Sequence, residues 1–377
     1  MVFLRVLLLK CTALLIFAAR HIAPPSEPRA ETSSQSSDAD EWMLFYFTAN
    51  GQHGLRIAYS TDGTSFVPID GGSAVLRPMV SEKREAEPLM RDPSVVQTPD
   101  GVFHLVWTTG WESKGFGYTS SRDFVHFEEQ VFVNAMEEWP LARNVWAPDI
   151  TYDSKNNQLL VVWASTVRGA FQKTAGSSEN GYNHRLYCTT FTPGMIDDTR
   201  GPTKLFYDPG FNVIDGHLAA SSSETSHILF FKDERRWPPG KCLHMAVSET
   251  GLFGPYSEAG APLVEGMFWA EGPSALNVGG VWTVYFEKYA KVNAVQEDGE
   301  VYDKDVDWIN EWGAIQSQDL QQWHDISHKL QIPKGARHGT VLRVPKAIAR
   351  GLASHFRDDR NHAQLQHNAG ELKDEEL

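Results

Sequence analysis

Cysteine is scarce in this chain: there are three in 377 residues. Cys11 falls in an apolar N-terminal stretch. Cys188 and Cys242 fall on equivalent third strands of neighbouring repeats, where buried free thiols are favoured over a bridge. A disulfide-stapled scaffold is thereby excluded. Basic charge is also short. Thirty-four Lys and Arg face 48 Asp and Glu, a formal net charge of −14. No basic stripe with interleaved aromatics offsets this, which argues against a nucleic-acid partner. The chain has no Cys/His spacing of the metal-binding kind, and no glycine-rich loop that follows a strand and opens a helix. Asn-x-Ser/Thr sequons are absent too.

Long apolar runs are missing even at the N-terminus. Lys10 interrupts MVFLRVLLLKCTALLIFAA, leaving only Cys11 to Ala19 unbroken, too short to span a bilayer. With Arg5 ahead of it, the segment 1–20 resembles a secretory signal peptide. That predicts a secreted protein with no membrane span in its mature form. Residues 21–41 are rich in Pro, Ser and acid and read as a disordered linker. Residues 346–377 read as a polar tail. Its end, LKDEEL, resembles an endoplasmic-reticulum retention signal with one Glu too many, so an extracellular location is favoured over that compartment.

What the chain does have is aromatics and a repeat. Twelve Trp and twenty Phe suit a large sheet core and a sugar-binding cleft. Four segments open with a carboxylate: Asp92 in RDPSVV, Asp149 in WAPDITY, Asp215 in VIDGHLA and Glu271 in WAEGPSAL. A fifth, RHGTVLRV, has His338 in that place. The steps between them are 57, 66, 56 and 67 residues. After the carboxylates come short strands, turns such as TPDG and NVGG, and apolar runs such as VFHLVWTTG and QLLVVWAST. Third strands end in Ser-x-Asp-x-x-x-aromatic, as in Ser60/Asp62/Phe66, Ser121/Asp123/Phe127 and Ser317/Asp319/Trp323. A period of this size marks a propeller or array.

The strand count predicts an all-β, five-bladed propeller over roughly residues 42–345. The four repeats that open with carboxylates each supply a four-stranded blade. The stretch 43–69 supplies three outer strands, and 338–344 supplies the inner strand that closes the last blade, so no large edge stays open. Blades aim equivalent positions at one axis, so distant carboxylates converge. Hydrolysis of a glycosidic bond needs one protonated and one ionised carboxyl flanking it, and a third can raise the acid's pKa. Asp92, Asp215 and Glu271 fit that requirement. A lone Asp beside Pro or Gly often only makes a turn, and the recurrence argues against that here.

RDPSVVQTPDGVFHLVWTTGW, WAPDI, IDGHL and AEGPSALNVGGVWTVYF resemble the blade-opening motifs of family 43 glycoside hydrolases. The resemblance covers residues 42–345. It implies single-displacement, inverting hydrolysis of arabinosyl, xylosyl or galactosyl residues in plant- or algal-type poly- or oligosaccharides. Asp92 would then be the general base, Asp215 the pKa modulator and Glu271 the general acid. Asp149 is assigned to substrate binding or site architecture; IDGHL departs from the family's usual Asp-Pro, which keeps Asp149 open as the modulator. His338 matches a central-channel His that holds an ion through water, orients the carboxylates, or simply hydrogen-bonds. No cofactor is required, although a structural calcium ion near His338 is compatible with the resemblance. Trp111, Trp146 and Trp269 are placed at the mouth against sugar faces, with core packing as the alternative; Trp107, Trp163 and Trp282 are placed in the core. Arg91 either pairs with a pocket carboxylate or faces solvent. Two insertions, 168–184 and 290–311, the second carrying Trp308, are expected at the mouth. A retaining fructan-type enzyme is disfavoured because no Asn-Asp-Pro exists and Asp149, not a Glu-Cys pair, stands one blade after Asp92. A non-catalytic carbohydrate-binding propeller predicts a missing acid, yet all three carboxylates are present.

Overall fold

A computed structural model describes residues 40–357, except 84–86, 178–180, 221–224, 237–239, 296–300 and 302. The signal-like segment, nearly all of the linker and the LKDEEL end lie outside the described residues. Among the described residues no helix is long and apolar enough to cross a membrane.

Among the described residues, nineteen strands form five antiparallel sheets. The first holds β1 (Glu41–Phe47), β2 (Arg56–Ser60) and β3 (Val67–Pro68). The second holds β4 (Arg91–Gln97), β5 (Phe103–Thr108), β6 (Phe116–Ser121) and β7 (Val131–Val133). The third holds β8 (Trp146–Asp153), β9 (Gln158–Ser165), β10 (Arg185–Phe191) and β11 (Lys204–Tyr207). The fourth holds β12 (Val213–Ala220), β13 (His227–Asp233) and β14 (Leu243–Ser248). The fifth holds β15 (Phe268–Val278), β16 (Val281–Val292), β17 (Val306–Ser317) and β18 (His324–Asp325). The last strand, β19 (Arg337–Val344), pairs with β1 from Glu41↔Val344 to Phe47↔Arg337. The inner strands β19, β4, β8, β12 and β15 neighbour one another in a ring. The fold is a five-bladed β-propeller, closed by both chain ends as the strand count predicts.

The apolar runs follow from burial on both faces. In β9, Leu159, Val161 and Trp163 pack toward the second blade, while Leu160, Val162 and Ala164 pack toward the fourth. In β13, Leu229 and Phe231 face the third blade, and Ile228 and Phe230 face the fifth. β1 divides likewise, with Met43 and Phe45 on one side and Leu44 and Tyr46 on the other. Five seams between blades therefore hold most of the core. Trp107, Trp163 and Trp282 are all buried there. The Ser-x-Asp marker is a turn: Ser60 Oγ donates to Asp62, whose Oδ1 accepts the Thr64 and Ser65 N–H groups. Asp123 and Asp319 repeat it. Cys188 and Cys242 are free thiols, the first buried and the second partly exposed.

Three expectations change. The Asp215 blade has three strands rather than four. Ser257, Gly260 and Leu263 still donate backbone N–H groups to Val247, Met245 and Leu243, so the chain runs where a fourth strand would lie. Pro255 and Pro262 lack the N–H that a regular ladder needs. The second insertion is largely an extension of a hairpin, with Ala290↔Trp308 and Val292↔Val306 continuing the β16–β17 pairing. A small cluster of Trp269, Ala290, Val292, Val301 and Val306 packs it. Finally, the chain after residue 345 begins as a helix over 346–357. Its Ala349 and Leu352 are buried in the seam between the first two blades.

Candidate active site

Each carboxylate-bearing inner strand breaks its ladder beside its Pro or Gly, and β15 breaks a second time between Trp269 and Ala270. Register shifts lie between Arg91 and Ser94, Trp146 and Asp149, Ile214 and His217, and Glu271 and Ser274. At the break stands a residue with positive φ: Asp92 at 49°, Ala147 at 43°, Asp215 at 54° and Gly272 at 61°. The next residue is Pro93, Pro148, Gly216 or Pro273. Proline cannot donate to the ladder, so it marks the bulge. At the fourth bulge only glycine fits. A Cβ on Gly272 would stand 2.6 Å from the His338 ring.

The bulges show that the four carboxylates do not share one register. Asp92 and Asp215 occupy the bulge position itself. Glu271 stands one residue before its bulge residue, level with Arg91, Trp146 and Ile214. Asp149 stands two residues after, level with Ser94, His217 and Ser274. That level forms latches between blades. Ile150 N–H donates to Ser94 Oγ, Leu218 N–H to Asp149 Oδ2, and Val341 N–H to Ser274 Oγ. Asp149 Oδ1 also accepts from Ser94 Oγ at 2.9 Å and lies 2.9 Å from His217 Nδ1. Burial lowers the His217 pKa, but the Asp149 carboxylate outweighs it and the pKa is raised. Asp149 thus bonds between blades and does not line the cavity that holds the other three carboxylates.

Asp92, Asp215 and Glu271 converge with His338 on a cavity of about 290 Å³. Asp92 Oδ2 accepts from Thr108 Oγ1 at 2.8 Å, and its Oδ1 is 3.4 Å from His338 Nδ1. Asp215 Oδ2 accepts the Gly272 N–H at 3.1 Å and is 4.0 Å from the same Nδ1. Glu271 Oε2 is 2.9 Å from Lys232 Nζ, and its Oε1 is 3.7 Å from Arg337. Lys232 is almost fully buried and has a second partner, Glu234, at 2.8 Å. Glu234 in turn holds Lys241 at 2.5 Å. Below, Glu287 pairs with Arg337 and accepts the His338 N–H at 2.9 Å.

Charge sets the protonation. Burial raises the Asp215 carboxyl to about 6; His338 and Lys232 oppose the rise, and Glu271 and Asp92 add to it. Burial also pushes Glu271 up, but Lys232 and then Arg337 and His338 outweigh it and hold the group at about 2. Glu271 is thus held ionised. This runs against the expectation of a like-charge-raised acid, because a buried cation touches the carboxylate more closely than its neighbouring carboxylates do.

Aromatics wall the cavity on two sides. Trp111 is half exposed, meets Trp146 edge-on at 5.7 Å and carries the Arg91 guanidinium 4.2 Å from its ring centroid. Opposite, Trp308 lies stacked 6.2 Å from Tyr289 and edge-on to Trp269. All three predicted tryptophans line the cavity. Arg91 lines the cavity but pairs with none of its carboxylates; it donates to Asn50 and packs on Phe47 and Trp111. Pairing with a pocket carboxylate falls to Lys232 and Arg337. Among the described residues no group of three or more His, Cys, Asp or Glu side chains is arranged to hold a metal.

Lys232, Glu234, His184, Tyr289 and Arg337 were not singled out from sequence. Lys232 had a signal, a lysine inside the apolar strand HILFFKD. His184, Glu234 and Arg337 lie at strand ends among ordinary polar residues and had none.

A family model described as "Probable glycosyl hydrolase domain", of the glycosyl hydrolase 43-related type, matches residues 38–349. No curated protein matches the chain. Among solved structures the chain is similar to an α-L-arabinofuranosidase from Lactobacillus brevis, with 13% identity, a TM-score of 0.46, and 63% of this chain and 72% of that one covered. It is also similar to the catalytic domain of a GH62 α-L-arabinofuranosidase from Coprinopsis cinerea, with 14% identity, a TM-score of 0.43, and 66% and 72% covered. An exo-β-1,3-galactanase from Phanerochaete chrysosporium gives 11% identity, a TM-score of 0.43, and 66% and 52% covered.

Proposed function

The chain belongs to the glycosyl hydrolase 43-related family and is a glycosidase; from that premise we propose that it releases arabinosyl, xylosyl or galactosyl residues from a poly- or oligosaccharide by single-displacement inversion. The observation that carries this reading is the meeting of Asp92, Asp215 and Glu271 around His338 in one aromatic-walled cavity. Asp92 takes a proton from water as its oxygen attacks the anomeric carbon. The bond to the leaving oxygen breaks on the opposite face, and that oxygen takes the proton of Glu271. Atoms and charge balance with one water consumed.

Glu271 must first gain a proton, and Lys232 opposes it. The second partner of Lys232 makes the step feasible: when Glu271 is neutralised, the buried ammonium keeps Glu234 at 2.8 Å. Asp215, charged or neutral, sets the field felt by both others. A secreted location belongs to the same proposal.

The test uses para-nitrophenyl β-xyloside, α-arabinofuranoside and β-galactoside with the wild type, Glu271→Gln and Asp92→Asn. The wild type should cleave one of them and release the inverted anomer first, as read by proton NMR. Each variant should lose roughly 10²–10⁴-fold. Glu271→Gln should regain much of that on a 2,4-dinitrophenyl glycoside, whose leaving group needs no proton, and Asp92→Asn should not. Undiminished activity in Glu271→Gln sinks the acid assignment. The Glu271–Lys232 pair favours one second reading, in which Asp215 donates the proton; rescue of Asp215→Asn in place of Glu271→Gln would establish it.

A further inference from the structure

We propose that His184 is a specificity-determining residue: its Nε2 is a fixed hydrogen-bond acceptor that reads one hydroxyl of the sugar in the cavity. This rests on the cavity being the carbohydrate site.

The tautomer of His184 follows from its neighbours. The fully buried Asn212 accepts the His184 backbone N–H at its Oδ1, at 2.6 Å. That atom must be the oxygen, since an amide NH₂ would face another donor. Asn212 Nδ2 donates to the Glu234 carbonyl, which fixes the same orientation. The same Oδ1 lies 3.3 Å from His184 Nδ1. An oxygen there requires the proton on Nδ1, so Nε2 carries a lone pair. Burial pushes the imidazole pKa down to about 3, and the ring stays neutral at ordinary pH. Nε2 is buried and has no hydrogen-bond partner among the described residues. The ring itself lines the cavity. Tyr182 stacks on it at 5.0 Å and Trp146 packs at 4.8 Å. The lone pair lies in the ring plane, off the stacked face.

A buried acceptor left unpaired is destabilising, and a donor from the ligand relieves it. The charged neighbours do not substitute. Lys232 and Lys241 are engaged by Glu234. A sugar hydroxyl is the donor that a carbohydrate brings. A site built to pair such a hydroxyl rejects an analogue lacking it far more strongly than an apolar wall rejects a methylene. Deoxygenation, O-methylation or O-acetylation at that one position should therefore be excluded.

The experiment measures binding and hydrolysis together, with the full chain. Methyl β-xyloside, α-arabinofuranoside and β-galactoside are titrated by calorimetry against the wild type and His184→Phe, followed by each monodeoxy analogue of the best binder. kcat/KM is measured on the matching para-nitrophenyl glycosides. In the wild type one deoxy analogue should bind about 10- to 100-fold more weakly than its parent. In His184→Phe that ratio should collapse to near one, and the ratios at other positions should persist. Identical ratios in both proteins overturn the proposal. Should His184→Phe fail to fold, ¹⁵N NMR of the wild type decides. It should show a neutral Nδ1–H imidazole whose Nε2 resonance moves upfield when sugar is added. An Nε2–H tautomer or an unmoved resonance overturns the proposal. Binding without hydrolysis would refute the hydrolase reading while the deoxy ratios still judge His184. Failure of every sugar to bind or react would refute both.

Discussion

Lys232 decides how the pocket carboxylates share protons. With it in place, Glu271 carries charge and Asp215 is the group that titrates near neutrality, at about 6. An aspartate ionises near 4 in an unfolded chain. Between pH 4 and 6 the folded protein therefore binds more protons at Asp215 than the unfolded chain, and stability falls as pH rises through that window. Asp215→Asn removes this cost while Asn Oδ1 still accepts the Gly272 N–H. The variant should be more stable than the wild type at pH 7 by about 3 kcal/mol, close to it near pH 4, and much less active. Urea unfolding at the two pH values checks it; a variant less stable at pH 7 contradicts the burial account. The three carboxylates were legible because each sits in a short motif beside Pro or Gly. Their protonation was not, because that of Glu271 depends on Lys232, which comes from the preceding blade.

The inner strand with its bulge is the element on which the site is built. Left-handed backbone at a non-glycine residue costs roughly 1–2 kcal/mol, and Asp92, Ala147 and Asp215 all adopt it. The strain is offset by the latches one turn of pleat away, where Ser94, Asp149 and Ser274 tie each blade to the next. Asp149→Ala would leave the Leu218 N–H, the Ser94 hydroxyl and His217 without their acceptor. We expect a loss of about 3–5 kcal/mol, the scale for breaking a buried charged pair. Activity of the folded fraction at low temperature should stay within about 10-fold of wild type. Thermal unfolding and initial rates measured together check this; intact stability with abolished activity would return Asp149 to the chemistry. The motif WAPD announced a blade opening correctly. It could not announce that its Asp lies past the bulge, because two residues of register move a side chain along the channel axis, and only pairing with β9 fixes that register.

At the scale of the molecule, closure links stability to chemistry. β19 pairs with β1 across nearly the whole chain length, and it delivers Arg337 and His338 to the cavity. A chain ending at residue 336 should show no cooperative unfolding. A chain ending at residue 345 should keep the ring and lose about 2–4 kcal/mol, since Ala349 and Leu352 leave their seam. Circular dichroism melts of the two truncations check this. A cooperative melt for the shorter chain would mean that the ring does not depend on its closing strand.

Sequence alone determined the five blades, their closure by both ends and the identity of three pocket carboxylates. Continuous apolar strands buried on both faces and carboxylates beside Pro or Gly are local signals repeated along the chain. Tertiary structure alone decided the three-stranded blade, the helix over 346–357, the hairpin that carries Trp308, and the charges around Glu271. Each of these depends on atoms brought within about 3 Å from different blades or from segments without regular pattern. Electrostatic energy and hydrogen bonding fall off over that distance, so spacing along the chain could not encode them.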